Sequence, residues 1–119
     1  MHRFKELKVW NKSMILSKEV YSYCRELPSF ERYGLISQMQ RSAGSISSNI
    51  AEGAGRDSKK PFSYFIQIAI ASSFELETQW LLNKDIYTEI EDAKYSSLEQ
   101  HLSEVQKMLV SFRSHLLKQ

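Results

Sequence analysis

Residues 31–55 read ERYGLISQMQRSAGSISSNIAEGAG, and the rest of the chain is organised around them. Ile36, Met39, Ala43, Ile46 and Ile50 recur at alternating steps of three and four, which places them on one stripe of a helix. Small residues crowd that stripe, namely Ser42, Gly44, Ser45, Ser47, Ser48 and Ala51, and would let neighbouring helices approach closely. Such a helix belongs inside a bundle. It is expected to stop at Gly53 or Gly55, because glycine accepts the left-handed conformation that closes many helices. Gly44 within it costs about 1 kcal/mol relative to alanine, so close packing at Gly44 is the expected compensation.

Outward from this stretch, the chain reads as three more helices. A first amphipathic helix is expected over about 4–27, with Leu7, Trp10, Met14, Tyr21 and Cys24 on an approximate heptad face interrupted by Ser17. Pro28 closes it, since a residue before proline is pushed out of the helical region, and Ser29 is the expected cap of the second helix over about 30–53. The run GAGRDSKKP is a connection. Asp57 or Ser58 can cap a third helix over about 58–84, whose first turn tolerates Pro61. In that helix Phe62, Phe65, Ala69, Ser72, Leu76 and Trp80 lie along or near one stripe. Ile66, Ile68, Ile70 and Ser73 widen it, so burial on more than one side is expected, with a second subunit as a candidate neighbour. Thr88 and Glu91 form a capping box for a fourth helix over about 89–117. There Tyr95, Leu98, Leu102, Val105, Leu109, Phe112 and Leu116 keep a strict heptad, the pattern of knobs-into-holes packing.

Four helices with short connections run up and down against one another. The predicted fold is all-α, an antiparallel up-and-down four-helix bundle forming one domain over 1–119. Antiparallel pairing about a turn near 56–58 sets residue i of the second helix beside about residue 114 minus i of the third. Arg41 then lies near Ser73, within reach of Glu75 or Glu77, and a charge-assisted contact between Arg41 and Glu77 is expected.

At 119 residues the chain can bury roughly two-thirds of the surface its unfolded form exposes. A single cysteine, Cys24, forms no internal disulfide, which suits a reducing compartment. The basic opening MHRFKELKVW is not followed by the apolar run of a signal peptide. The longest apolar approach, residues 65–71, is broken by Gln67 and falls far short of the ~20 residues of a membrane helix. A cytoplasmic location without membrane contact is the expectation, and on that basis the Asn11-Lys12-Ser13 glycosylation pattern is coincidental. Net charge is +2, but residues 1–60 carry eleven Lys and Arg against six Asp and Glu, and residues 61–119 carry five against eight. The two halves attract each other, and the first offers a basic face to an anionic partner.

Catalytic and metal chemistry find no support. His2, His101 and His115 share no metal-ligand spacing with each other or with Cys24, so neither a metal nor a cofactor is expected. Gly53-Ala54-Gly55 follows a helix and lacks the Gly-Lys-Ser/Thr ending of a phosphate loop. The serines from Ser45 to Ser48 have no neighbouring histidine or lysine to activate them. Asn49 and Glu52, one turn apart at the helix end, are read as structural, capping the next loop or tying helices together.

Several motifs together carry a resemblance. They are Trp10, the stretch Pro28, Phe30, Glu31, Gly34 and Leu35, the run from Gln38 to Ala43 continuing through Ser45, Ile46 and SNIAEG to Gly53, and Phe65, Ile68, Ala69, Ala71, Ser72, Glu75, Leu76 and Glu77. Over nearly its whole length the chain resembles the bacterial four-helix bundle family whose founding members are encoded by intervening sequences in 23S ribosomal RNA genes. The resemblance implies a bundle that assembles as a ring, typically a homopentamer, and has no catalytic activity. The same bundle is similar to the accessory protein of diversity-generating retroelements, a basic pentameric barrel that engages a reverse transcriptase and nucleic acid. A gene lying inside an RNA gene does not show that its product binds that RNA.

Lys5, Lys8 and Lys12 share a helical face by spacing, while Arg56, Lys59 and Lys60 cluster between the second and third helices. Repeated around a ring, these patches would form a positive belt binding RNA or DNA backbone without reading sequence. No interleaving of aromatic and basic residues typical of an RNA-recognition module accompanies them. The other reading is a scaffold whose ring presents helix faces to a protein partner such as a polymerase or reverse transcriptase.

Overall fold

The apolar periodicities resolve into four helices: α1 (Lys8–Cys24), α2 (Leu35–Ala54), α3 (Lys59–Ile86) and α4 (Ser96–Lys118). Short 3-10 turns at Phe4–Glu6, Ser29–Glu31 and Asp92–Tyr95 join or precede them. The computed structural model describes residues 1–90 and 92–118, and no strand occurs among them. Successive helices run antiparallel. α2 packs between α1 and α3, and α4 closes the bundle against α3 and α1, giving a body of 48 × 25 × 21 Å.

The stripes of α2 and α4 are buried where their periods place them. Met39, Ala43, Ile46 and Ile50 have no exposed surface, Leu98, Leu102, Val105, Leu109 and Leu116 line the core from α4, and Ile36 and Phe112 pack at its edge. Burying each large apolar side chain contributes about 1.5–3 kcal/mol before conformational entropy is charged against it. On α3, Phe62, Ile66, Ala69, Ser72, Ser73, Leu76 and Trp80 are buried between α2 and α4.

The first helix departs from its expected face. Val9, Ser13, Leu16, Val20 and Tyr23 point inward with Cys24, whereas Trp10 and Met14 are only partly covered and Tyr21 is exposed. Two heptad-like stripes coexist on α1, and the one carrying Val9, Leu16, Val20 and Tyr23 joins the core, followed beyond the helix end by Leu27.

Small residues bring α2 close to both neighbours. Ser13 Oγ donates to Ser47 Oγ at 3.1 Å across α1–α2, and Ser45 and Ser72 share a hydrogen bond of 2.9 Å across α2–α3. Gly53 is required by that closeness, because a Cβ there would lie 2.8 Å from both Phe62 Cδ1 and Phe65 Cβ. Gly44 is different: a Cβ added to it meets nothing within 4 Å, so no packing inside the bundle compensates for this glycine.

The helix ends also correct the expectations. Ser29 lies within a 3-10 turn, and α2 begins after Gly34 with Glu31 Oε1 accepting the Leu35 N–H at 3.3 Å. At its other end Gly55 is the closing residue with φ −80°, a right-handed value, and no glycine has positive φ. Ser58 occupies the N-cap position of α3 in extended conformation. α4 begins at Ser96, later than expected, and the Glu91 half of the Thr88–Glu91 box lies outside the described residues.

The register of α2 against α3 is displaced from the simple hairpin estimate. Ser45 meets Ser72, and Ser42 Oγ reaches Gln79 Oε1 at 2.7 Å. Side chains tilt toward the N-terminus of their own helix, so in an antiparallel pair the tilts oppose and each α2 residue meets a later α3 residue. Arg41 therefore does not pair with Glu77. It lies on the exposed face of α2, two positions from both Met39 and Ala43, while Glu77 Oε1 accepts from Gln106 Nε2 at 2.9 Å.

Candidate nucleic-acid interface

In an up-and-down bundle the start of the chain, the second turn and the end of the fourth helix share one end. Here apolar contacts hold all three together. The His2 N–H donates to the Ala54 carbonyl at 2.8 Å, and the His2 ring meets Phe62 and Phe112 edge-on with centroids 4.9 and 6.5 Å apart. Phe62 packs on Phe112 at 5.3 Å. Onto this end residues 1–8, 52–60 and 112–118 bring eight cations, Arg3, Lys5, Lys8, Arg56, Lys59, Lys60, Arg113 and Lys118, against three carboxylates, Glu6, Glu52 and Asp57.

The six basic residues singled out from sequence divide on inspection. Lys5 sits in the 3-10 turn, and the chain is extended at Leu7 before α1 starts, so Lys5, Lys8 and Lys12 do not share one continuous helical face. Asn11 Nδ2 spans the break by donating to the carbonyls of Lys5 and Leu7, both at 3.0 Å. Lys5 and Lys8 are exposed, but Lys12 Nζ is turned to Glu104 Oε1 at 3.1 Å and ties α1 to α4. Arg56 lays its guanidinium 4.6 Å from the Phe65 ring centre, a cation–π contact that leaves it at the surface.

Lys59 and Lys60 are exposed in the first turn of α3. That is the positive pole of the helix, where a cation is disfavoured and an anion favoured by about 0.3–1 kcal/mol. A phosphate placed there gains from the lysines and from the helix together.

The residues read as structural show mixed roles. Asn49 Nδ2 donates to the Ser45 carbonyl at 2.8 Å and to Ser45 Oγ at 3.0 Å, and through Ser45 it reaches Ser72 of α3. Glu52 and Glu75 are exposed, and the Glu52 backbone carbonyl accepts the closing Gly55 N–H at 3.2 Å. Asn83, not singled out from sequence, is fully buried and joins three elements: its Nδ2 donates to the Gln79 carbonyl at 2.9 Å and contacts Met39 Sδ at 3.0 Å, while its Oδ1 faces the Tyr23 hydroxyl at 3.5 Å. Arg3, Arg113 and Lys118 were also missed as members of the basic end. Applying the shared-end rule to the helix order would have included them.

Burial pushes the Cys24 thiol up to about 11, so it stays protonated near neutral pH. Among the described residues no group of three or more His, Cys, Asp or Glu is placed to hold a metal ion, and no helix is long and apolar enough to cross a membrane.

A sequence profile described as 23S rRNA-intervening sequence protein matches residues 5–111. The chain belongs to the 23S rRNA-intervening sequence protein family. Three chains of known structure match this family member. One of them, a protein of unknown function from the S23 ribosomal protein family of Bacteroides thetaiotaomicron VPI-5482, superposes with a TM-score of 0.78 at 24% identity, covering 88% of this chain and 97% of its own. At that identity the likeness establishes the fold. No curated protein matches the chain.

Proposed function

We propose that this member of the 23S rRNA-intervening sequence family is a non-enzymatic, cytoplasmic, oligomeric bundle protein that binds the phosphate backbone of RNA or DNA through its basic end. The observation that carries this reading is the gathering of eight cations against three carboxylates at one end. A ring, five copies on the sequence resemblance, would join these ends into a belt, so that modest charge per chain becomes substantial charge per assembly. Binding would be tolerant of sequence and would weaken steeply with salt through counterion release. The test is light scattering of the purified protein with and without a mixed pool of short RNA and DNA at two salt concentrations. Gain of nucleic acid at low salt and its loss at high salt supports the proposal, provided that neutralising Arg56, Lys59 and Lys60 markedly reduces the gain; indifference to nucleic acid at both salts, or a gain unchanged by that substitution, refutes it.

A second reading, a scaffold for a protein partner, is favoured by one separate observation. α3 leaves Tyr64, Phe74, Leu81, Leu82 and Ile86 each about half exposed or more. An apolar helix face of this kind is ordinarily covered by another protein surface. Co-purification of a partner that Phe74→Ser and Leu81→Ser release, with no nucleic acid retained, would favour this reading over the first.

A further inference from the structure

On the outer side of the α1–α2 pair, Tyr21, Arg32, Tyr33, Ser37, Gln40 and Arg41 line an open groove of about 530 Å³. Its aromatic rings are uncommonly bare. Tyr33 is 86% exposed and Tyr21 49%, and Phe30 in the same loop is 78% exposed. The Arg32 guanidinium stands 5.5 Å from the centre of the Tyr33 ring. Carboxylates on the flanking elements are engaged elsewhere: Glu31 takes the Leu35 N–H and the Tyr87 hydroxyl, Glu19 takes Ser97 and His101, and Glu26 pairs with Lys94 at 3.2 Å. Among the described residues neither Arg32 nor Arg41 forms an ion pair with a carboxylate.

We infer that this groove binds single-stranded nucleic acid, with bases stacked on Tyr33 and Tyr21 and phosphates held by Arg32 and Arg41. Exposed aromatic faces accept any base, and a guanidinium matches the geometry of a phosphate with two parallel hydrogen bonds. Ser37 and Gln40 line the same groove and add hydrogen-bond donors and acceptors to it. A duplex hides its base faces, so the groove discriminates against it. An acidic peptide would satisfy the arginines but would leave both tyrosine faces without a role. The groove lies near the end of the bundle opposite the basic end, and its argument does not depend on that site.

The experiment is fluorescence anisotropy with a labelled oligothymidylate of about a dozen nucleotides, a length suited to one small binding surface, and with a duplex of the same length. Unlabelled polyglutamate serves as a competitor. The single strand is expected to bind more tightly than the duplex. Tyr33→Ala should weaken single-strand binding about tenfold, the scale of one lost stacking contact, while Tyr33→Phe keeps it and Arg41→Gln weakens it. Both positions are at the surface, so circular dichroism should show an unchanged fold in all three variants. Neutralising Arg56, Lys59 and Lys60 would weaken both ligands alike and preserve the single-strand preference, which separates failure of the basic-end reading from failure of this one. Wild-type single-strand affinity in Tyr33→Ala and Arg41→Gln overturns the inference. So does equal binding of the duplex, or displacement by polyglutamate that is indifferent to Tyr33, an outcome that would point to an acidic protein partner.

Discussion

Glu31 accepts a hydrogen bond from the hydroxyl of Tyr87, a residue 56 positions later, while its other carboxylate oxygen caps the Leu35 N–H. The start of α2 and the end of α3 are thus fastened through one side chain. Hydrogen bonding to Glu31, then burial and the nearby negative charges, push the Tyr87 hydroxyl from its ordinary 10 up to about 12. A raised folded-state value means that the proton is held more tightly in the folded protein. The contribution to stability is therefore fully present below pH 10 and is lost as pH rises through 12. Ultraviolet titration of the phenolates should show one late-ionising tyrosine, and Glu31→Gln should return it toward the ordinary range.

Glu99 works in the opposite direction. Its Oε1 accepts from Lys84 and, at 2.8 Å, from Trp80 Nε1, and the Lys84 contact followed by the Trp80 contact lowers its carboxyl below the usual range. The associated stability is present above the unfolded carboxyl value and is lost as pH falls through the lowered one. Because the Glu99 side chain is 43% exposed, solvent screening limits the ion pair to under about 1 kcal/mol. Tryptophan fluorescence during acid titration should report a transition that Glu99→Gln removes.

The two α2 glycines separate packing from propensity. Gly53→Ala forces a methyl against Phe62 and Phe65 and should destabilise the bundle by about 1–3 kcal/mol in urea unfolding. Gly44→Ala meets open space and should stabilise an isolated bundle by about 1 kcal/mol. Loss of assembly in Gly44→Ala, measured by light scattering, would instead mark this face as one that another surface approaches closely.

Charge at the basic end should be readable residue by residue. If Lys59 and Lys60 meet phosphates, replacing both by glutamine reduces the salt slope of nucleic-acid binding by roughly two. Lys12→Gln should leave that slope unchanged, because Glu104 already holds the Lys12 charge. A slope that falls equally for all three lysines would contradict the assignment.

Asn83 is the polar residue on which the far end of the core converges. Asn83→Ala should cost about 1–3 kcal/mol in urea unfolding, since it removes a fully buried side chain together with its hydrogen bonds to the Gln79 carbonyl and the Tyr23 hydroxyl and its contact with Met39. Nothing in the sequence marked it, because a single asparagine near a helix end is ordinarily solvated.

Periodicity determined the four helices and the inward faces of α2 and α4, and the short connections determined their up-and-down order, because each depends on residues within a few turns of one another. Only the tertiary structure decided which of two competing stripes α1 buries, since the shape presented by the other three helices made that choice. That selection left Tyr21 exposed beside Tyr33 and Arg41, and opposed side-chain tilts displaced the register that would have given Arg41 to Glu77. The basic end likewise joins residues from the beginning, middle and end of the chain. The helix order already implies that these segments share one end, but the packing of His2, Phe62 and Phe112 that draws them together is a long-range contact that no local pattern encodes.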